Sequence, residues 1–399
     1  MISILSLSAR GADGGSAYSI LGLGDLRLAP GVRYAGMGNA GIALPGASYI
    51  NSLSPATWSR INRIRIEAAF LYEGFSSSDG TTSRFLSTGT FNGALLAIPI
   101  STAHGIVFVG GFTPYSTTNY DIFTSGSQMG IDFTIQHVGR GGLTKGQVGF
   151  SYAPSQELSL GASFNYLFGT VNTTRTFTPI SASYAGGKTL EKFTARGSGA
   201  SIGAVYTGFA GINELSLGIV VSTRTTLTTE RQLTYEFQSE RDTTNEQQGT
   251  LGLPIGVGIG LAYQLGERYL FAADYFTQPW SSADLTGVRN EGIRNNHRIS
   301  AGAERLPSRD TFASWLDKLS YRLGFYYDAS YYSINGQPIN QWTVTGGLTV
   351  PLSGETRLNV ALEYGSRGKT ENNLIRDKIV RLLLSVNFSE LWFIQYDEE

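Results

Sequence analysis

Leu158-Ser159-Leu160-Gly161-Ala162-Ser163-Phe164-Asn165-Tyr166-Leu167-Phe168-Gly169 is the stretch that decides the fold. Leu158, Leu160, Ala162, Phe164, Tyr166 and Phe168 share one parity, and Ser159, Gly161, Ser163, Asn165 and Gly169 share the other, which is the period of a pleated strand. The same alternation returns roughly a dozen times between residue 63 and the C-terminus. Late examples set Tyr321, Leu323, Phe325 and Tyr327 against Arg322, Gly324 and Asp328, and Leu358, Val360, Leu362 and Tyr364 against Arg357, Asn359 and Glu363. So many two-faced strands must stack as a sandwich or close into a barrel, and composition can choose between these.

The chain of 399 residues has 50 Gly, 21 Tyr, 21 Phe and 5 Trp but no Cys, and its mean hydropathy is -0.07. It is rich in aromatics and glycine without being hydrophobic on average, as suits an apolar outer surface around a polar lumen. A net charge of -1 offers no basic footprint for nucleic acid. Without Cys there are no disulfides, no thiolate metal sites and no acceptor for an N-terminal lipid anchor. His104, His137 and His297 lie far apart in sequence, so neither a metal centre nor a cofactor is expected. No run approaches the roughly 18 apolar residues of a spanning helix; a membrane crossing would have to be a closed barrel, because lipid satisfies no open backbone edge. Residues 1–11 carry a short apolar stretch, Ile2 to Ala9, with no basic region before it, and read equally as a signal-peptide remnant or a mature start.

Three features favour the membrane. Aromatics gather near strand ends, as in Tyr263 with Tyr269 and Trp392 with Phe393, where an interfacial girdle would place them. Short connections (residues 99–104, 153–157, 209–214, 264–268 and 351–355) alternate with long polar excursions (172–191, 222–247, 277–295 and 366–377), the asymmetry of periplasmic turns and extracellular loops. No helical layer is present to cover so much apolar strand surface. One inner connection, Arg305 to Asp317, is longer, with a helical turn expected over Phe312 to Leu316. The alternation gives fifteen segments; fusing 130–139 with 143–152, or leaving the first inside a loop, restores the short–long order and gives fourteen. The expectation is an all-β, transmembrane antiparallel β-barrel of about 14 strands over residues 62–399, in the outer membrane of a Gram-negative bacterium, with its apolar parity facing lipid.

Gly256, Gly258 and Gly260 leave three successive lumenal positions without side chains, which either admits another backbone or relieves wall curvature. The segment that could enter is the one before the first strand, rich in Gly, Pro, Ser and Asn. Within it, Tyr18-Ser19-Ile20-Leu21-Gly22-Leu23-Gly24-Asp25-Leu26, Tyr34-Ala35-Gly36-Met37-Gly38-Asn39-Ala40-Gly41-Ile42-Ala43 and Asn51-Ser52-Leu53-Ser54-Pro55-Ala56 resemble the N-terminal hatch of FadL-type outer-membrane transporters of long-chain fatty acids and other hydrophobic compounds, in a Bacteroidetes-like form. Glu363-Tyr364-Gly365-Ser366-Arg367-Gly368 and Ser389-Glu390-Leu391-Trp392-Phe393 resemble the last strands of the same group. The resemblance implies a hatch over residues 1–61 that sits in the lumen, shifts when ligand binds, and releases ligand sideways through a kinked early strand. Its hatch and gating residues would be Gly36, Met37, Gly38, Gly41, Asn51, Ser54, Pro55 and Ala56, and the candidate kink is Gly110-Gly111 with Pro114, since Gly pairs and Pro both interrupt ladder pairing. The family has Asn-Pro-Ala where this chain has Ser54-Pro55-Ala56; Ser54 could still cap a short helix begun by Pro55.

Charges read as lumenal are Arg196, Asp274, Arg298, Arg322, Asp328, Arg357, Glu363 and Arg381, with Asp25, Arg27 and Arg33 of the hatch as natural partners. They either form ion pairs that hold the plug or include an Arg that attracts a carboxylate head group. No nucleophile, base and orienter set is visible, so an enzyme is not expected. The function read from this is passive, hatch-gated diffusion of hydrophobic small molecules through a laterally opening monomeric barrel embedded in outer-membrane lipid. Phe123, Trp280 and Tyr331-Tyr332 would make first contact outside. The alternative is a barrel on the same scaffold that serves as a subunit or shuttle of a protein-secretion or surface-assembly complex, with Glu230, Arg231, Glu240, Arg241, Asp242 and Arg289 in its outer loops facing a protein partner.

Overall fold

A computed structural model describes residues 12–27, 31–128, 130–181, 184–212, 214–238, 240–283 and 292–390. The possible leader remnant at 1–11, Arg289, and the Leu391-Trp392-Phe393 motif lie outside the described residues. The period-two segments form fourteen antiparallel wall strands. They are β1 (Ile64–Ser78), β2 (Ser83–Ser101), β3 (Ile106–Pro114 and Ser116–Gln128), β4 (Ile131–Tyr152), β5 (Leu158–Pro179), β6 (Gly187–Thr207) and β7 (Leu215–Ser222 and Thr225–Phe237). There follow β8 (Gln247–Leu253 and Gly256–Leu265), β9 (Tyr269–Gln278), β10 (Asn296–Arg305), β11 (Ser320–Ile334), β12 (Gln337–Pro351), β13 (Arg357–Gly368) and β14 (Arg376–Glu390). β14 pairs with β1, Arg381 opposite Glu73 and Val386 opposite Ala68, which closes the barrel. Residues 131–152 are one strand, so the fused reading and its count of fourteen hold.

Parity behaves as a membrane barrel requires. Leu160, Phe164, Tyr166 and Phe168 are 39–53 % exposed on the outside, whereas Ser159 and Ser163, at 3 % and 8 %, face the filled lumen. The polar stretches expected as long loops are mostly wall instead. Residues 171–179 pair with β4 and β6, and Thr225–Phe237 pairs with β6, with Gln247–Leu253 and with a short strand, Glu240–Thr243. Their threonines and cross-strand ion pairs, such as Arg231 with Glu191 at 2.7 Å, suit a ladder that continues beyond the bilayer. The stretch 366–377 is likewise tight, a 3-10 turn at Glu371–Asn373 between β13 and β14. In the long inner connection the helical turn begins three residues later than expected, at Trp315–Lys318, where Ser314 accepts the Asp317 N–H.

One seam interrupts the wall. β2 and β3 pair only from Ala94–Phe112 to Ser101–Ile106; above that, among the described residues, no ladder joins Ser83–Gly93 of β2 to Ser116–Gln128 of β3. Gly93 (φ +107°) and Gly111 (φ +151°) stand at this fork in conformations that favour glycine, and a Cβ on Gly111 would lie 2.2 Å from the Ala94 carbonyl oxygen. The N-terminal segment bridges the fork. Ala12–Asp13 runs parallel to Leu86–Ser87 of β2, Asp25–Leu26 runs antiparallel to Ser116–Thr117 of β3, and the Arg27 N–H donates to the Tyr115 carbonyl. The rest of the segment packs inside, with Val32, Tyr34, Ala35, Met37, Ala40, Ile50 and Trp58 all buried.

Candidate functional site

Three layers of buried charge tie the N-terminal segment to the wall. In the outer layer Arg367 of β13 meets Asp25 at 2.7 Å and Asp377 at 3.5 Å, and the Ser16 hydroxyl donates to Asp377. In the middle layer Arg27 meets Glu73 of β1 at 2.5 Å, Glu73 accepts from Arg381 at 3.0 Å, and Arg381 reaches Glu363 at 3.2 Å. In the inner layer Glu304 of β10 lies 2.6 Å from both Arg33 and Arg322. Burial opposes the Arg33 charge, yet Glu304, with Tyr34 and Tyr49, holds its guanidinium above the ordinary value. Asp25, Arg27 and Arg33 of the N-terminal segment thus each meet a wall partner, but Glu73, Glu304 and Asp377 were not singled out in sequence, and Arg367 entered only as part of the Glu363–Gly368 motif. Lumenal parity on their own strands, already used for Glu363 and Arg381, was the signal available.

The backbone is fixed as closely as the charges. Gly41 and Ile42 donate their N–H groups to Asp274 of β9 at 2.6 and 2.9 Å. Thr345 of β12 accepts from Gly38 N–H and donates to the Gly36 carbonyl. Met37 and Gly38 rest on the paired Gly302 and Gly324, where an added Cβ would come within 2.3 Å of Met37 backbone oxygen and 2.1 Å of Gly38 nitrogen. Gly258 and Gly260 face Ile42, so those positions admit a neighbour, while Gly256 faces Phe276 and Gln278 side chains. Asn51 braces the turn from within, donating to the Gly41 carbonyl and accepting the Leu53 N–H. Pro55 begins a 3-10 helix, Pro55–Arg60, but Ser54 does not cap it through its side chain: the hydroxyl faces Gly203 and is unpartnered, and Ser54 contributes its carbonyl, which accepts from Thr57. Pro55 and Ala56 sit against Gly161 and Gly203 of the wall.

Other expected site residues are placed differently from one another. Arg298 pairs with Asp328 at 2.5 Å across β10 and β11, and Arg357 stacks on Tyr49 of the segment at 5.7 Å. Arg196 is a correction: like Ile202 and Tyr206 it occupies an outward position of β6, exposed and paired with Glu230 at 2.8 Å. Trp280, Tyr331 and Tyr332 are also corrected, from exposed loop aromatics to buried ones. The Tyr331 hydroxyl donates to the Gly24 carbonyl and accepts the Leu23 N–H, and Tyr332 stacks on Tyr18. Phe123 is half-buried beneath Arg84.

Beside this framework lies a cavity of about 130 Å³, lined by Ile42, Leu53, Pro55 and Trp58 of the segment and by Leu167, Val220, Leu253 and Phe276 of the wall. Lys145 and Gln147 enter it from β4; Lys145 has no ion pair among the described residues, and the Gln147 side-chain nitrogen has no hydrogen-bond partner. Tyr115, the residue at which β3 breaks, and Arg27 also line it, so the cavity reaches the inner foot of the seam.

The family model named BamG matches residues 1–397. The chain belongs to the BamG family. No curated protein matches it. Among solved structures, this BamG-family barrel is similar to the Ralstonia pickettii toluene transporter TbuX (15 % identity, 89 % of this chain and 97 % of that one, TM-score 0.62). It is similar also to the CymD monoaromatic hydrocarbon channel (14 %, 93 % and 99 %, 0.61) and to a Pseudomonas aeruginosa FadL homologue (13 %, 91 % and 98 %, 0.58). At these identities the likeness establishes a FadL-like fold for the BamG-family chain, a 14-stranded barrel of the Gram-negative outer-membrane type.

Proposed function

We propose that the barrel passes small hydrophobic molecules from the outer face into the membrane, with residues 12–61 acting as a hatch and the seam between β2 and β3 as a lateral exit. The observation that carries this is the contact of the lumenal cavity with Tyr115, near the fork where the shared ladder ends at Ala94–Phe112, just past Gly110-Gly111 and before Pro114. A cavity of ~150 Å³ holds a molecule the size of benzene, so this one, whose lining mixes apolar side chains with Asp274 and Arg298, has the size for a single ring or one end of a longer chain. Lys145 would receive a carboxylate in a charge-assisted bond, which extends the substrate class to fatty acids.

Two outcomes test the reading. Because the chain has no Cys, Leu26→Cys with Ser116→Cys creates a single oxidisable pair at directly opposed positions, within the Cα spacing a disulfide accepts. Oxidation should lower uptake of labelled oleate and toluene by cells at least about tenfold, with recovery on reduction; unchanged uptake would rule out exit at the seam. Lys145→Met should weaken oleate binding by roughly 10- to 100-fold, the worth of a hydrogen bond to a charged group, and leave toluene binding unchanged.

A second reading is favoured by membership of the BamG family and by the three-layer anchoring of the segment: the barrel as a static subunit of a protein-assembly complex. A stoichiometric protein partner on mild extraction, with uptake unaffected by deletion, would select it over transport.

A further inference from the structure

Beneath the N-terminal segment, at the end of the barrel that carries the short turns, a vestibule of about 560 Å³ opens outward from residues 43–49. Its ionisable lining is unbalanced. Arg33, Arg60, Arg309 and Arg357 face it with Glu214 as the one carboxylate among them. Arg33 is already committed to Glu304, but the others are not neutralised to the same degree. Arg60 is exposed, donates to the Gln156 carbonyl and has the exposed Glu157 carboxylate near it; Arg309 is exposed and has no ion pair among the described residues; Arg357 shares Glu355, at 3.7 Å, with Arg65. Above them Arg33, Arg322 and Arg357 surround the ring of Tyr49 at 4.6 to 5.7 Å, three guanidinium groups about one phenol. Burial would raise the Tyr49 phenol, yet Arg322 and Arg357 bring it below its ordinary value, a sign of positive potential in the roof.

We infer that this vestibule binds an acidic protein segment presented from the periplasm. Arg60 ends the 3-10 helix of the N-terminal segment, Arg309 lies on the β10–β11 connection and Arg357 opens β13. Three cations on separate elements of the rim match several carboxylates along one extended chain. Such a contact is steered by charge and weakened by salt. The inference rests on the second functional reading only for the origin of the segment; the site is independent of any transport through the seam.

Full-length protein in neutral detergent, titrated with fluorescein-labelled deca-glutamate and deca-serine peptides and followed by polarisation, tests it. The acidic peptide should bind, and affinity should fall at least tenfold in R309E, whose exposed and unpaired side chain leaves the fold intact, and further when Arg60→Ala is added. Raising sodium chloride from low to high concentration should weaken binding in parallel. Equal affinity for both peptides, no loss in R309E, or complete competition by millimolar inorganic phosphate or by micelles of anionic phospholipid would overturn the proposal, the last two assigning the site to a small anion or a lipid head group. Because the assay uses the isolated barrel, a negative result here is separate from failure to find a partner on extraction.

Discussion

Replacing Gly302 and Gly324 together by leucine is expected to turn the closed lumen into a conducting pore. The two glycines are directly paired on β10 and β11, and Met37-Gly38 lies against both. A Cβ on Gly324 would stand 2.1 Å from the Gly38 nitrogen and 2.2 Å from the Met37 carbonyl carbon; one on Gly302 would stand 2.3 Å from the Met37 oxygen. These are backbone atoms and cannot swing aside as a side chain would. The wall is held by ladders on both sides of β10 and β11, so the N-terminal segment is the part that moves. Overpacking costs about 1–3 kcal/mol at each site, and the displacement also removes the bonds from Thr345 and Asp274. Planar-bilayer recordings should show stable open steps in the variant and none in the parent protein, while the barrel still migrates as a heat-modifiable folded band. A variant that folds and remains closed would mean that Met37-Gly38 is not what blocks the lumen.

Glu304→Gln should be the most destabilising single change in the inner layer. Glu304 is 2 % exposed and is the shared carboxylate of Arg33 and Arg322, both buried. Removing it leaves two guanidinium groups without their partner, and breaking a buried pair from one side costs about 3–5 kcal/mol. Adding Arg33→Met to Glu304→Gln should restore part of the loss, since an apolar side chain of similar reach removes one of the stranded charges. Urea unfolding in lipid vesicles, followed by Trp fluorescence, measures both effects. Equal stability of parent and Glu304→Gln would show that this layer contributes nothing to holding the segment.

The wall was legible because its rule is local. Tyr321, Leu323, Phe325 and Tyr327 declare their face within seven positions, and a barrel needs only that declaration repeated. The partners inside were not legible for the opposite reason. Asp25 finds Arg367, and Arg33 finds Glu304, through the stagger of the closed wall, which no short window contains. Arg196 breaks the inward rule of the other strand charges: its side chain is exposed on the outside of β6, where Glu230 of the neighbouring strand β7 neutralises it. Tyr331 and Trp280 were misplaced because aromatics after a strand end suggest an exposed rim; here the Tyr331 hydroxyl satisfies backbone groups of residues 21–24 that would otherwise be buried without partners. Ser54 kept the position of a cap but not its hydrogen bond, because the hydroxyl is turned toward Gly203.

The bridging of the seam by residues 12–27 also sets the order in which the molecule can be built. Ser16 bonds to Asp377 across 361 positions and Asp25 to Arg367 across 342, so the stretch that leaves the ribosome early acquires its partners only when β13 and β14 exist. Contacts of such separation make folding slow, since the loop entropy is lost before any bond returns it. Until then Asp25 lacks its arginine and β14 has not met β1, although Arg27 already has Glu73 of β1 within reach and Arg33 gains Glu304 once β10 is made. Closure of the cylinder and capture of residues 16–25 are therefore one late event, and a polypeptide stalled before β13 would be left with an open edge and with Asp25 lacking its arginine.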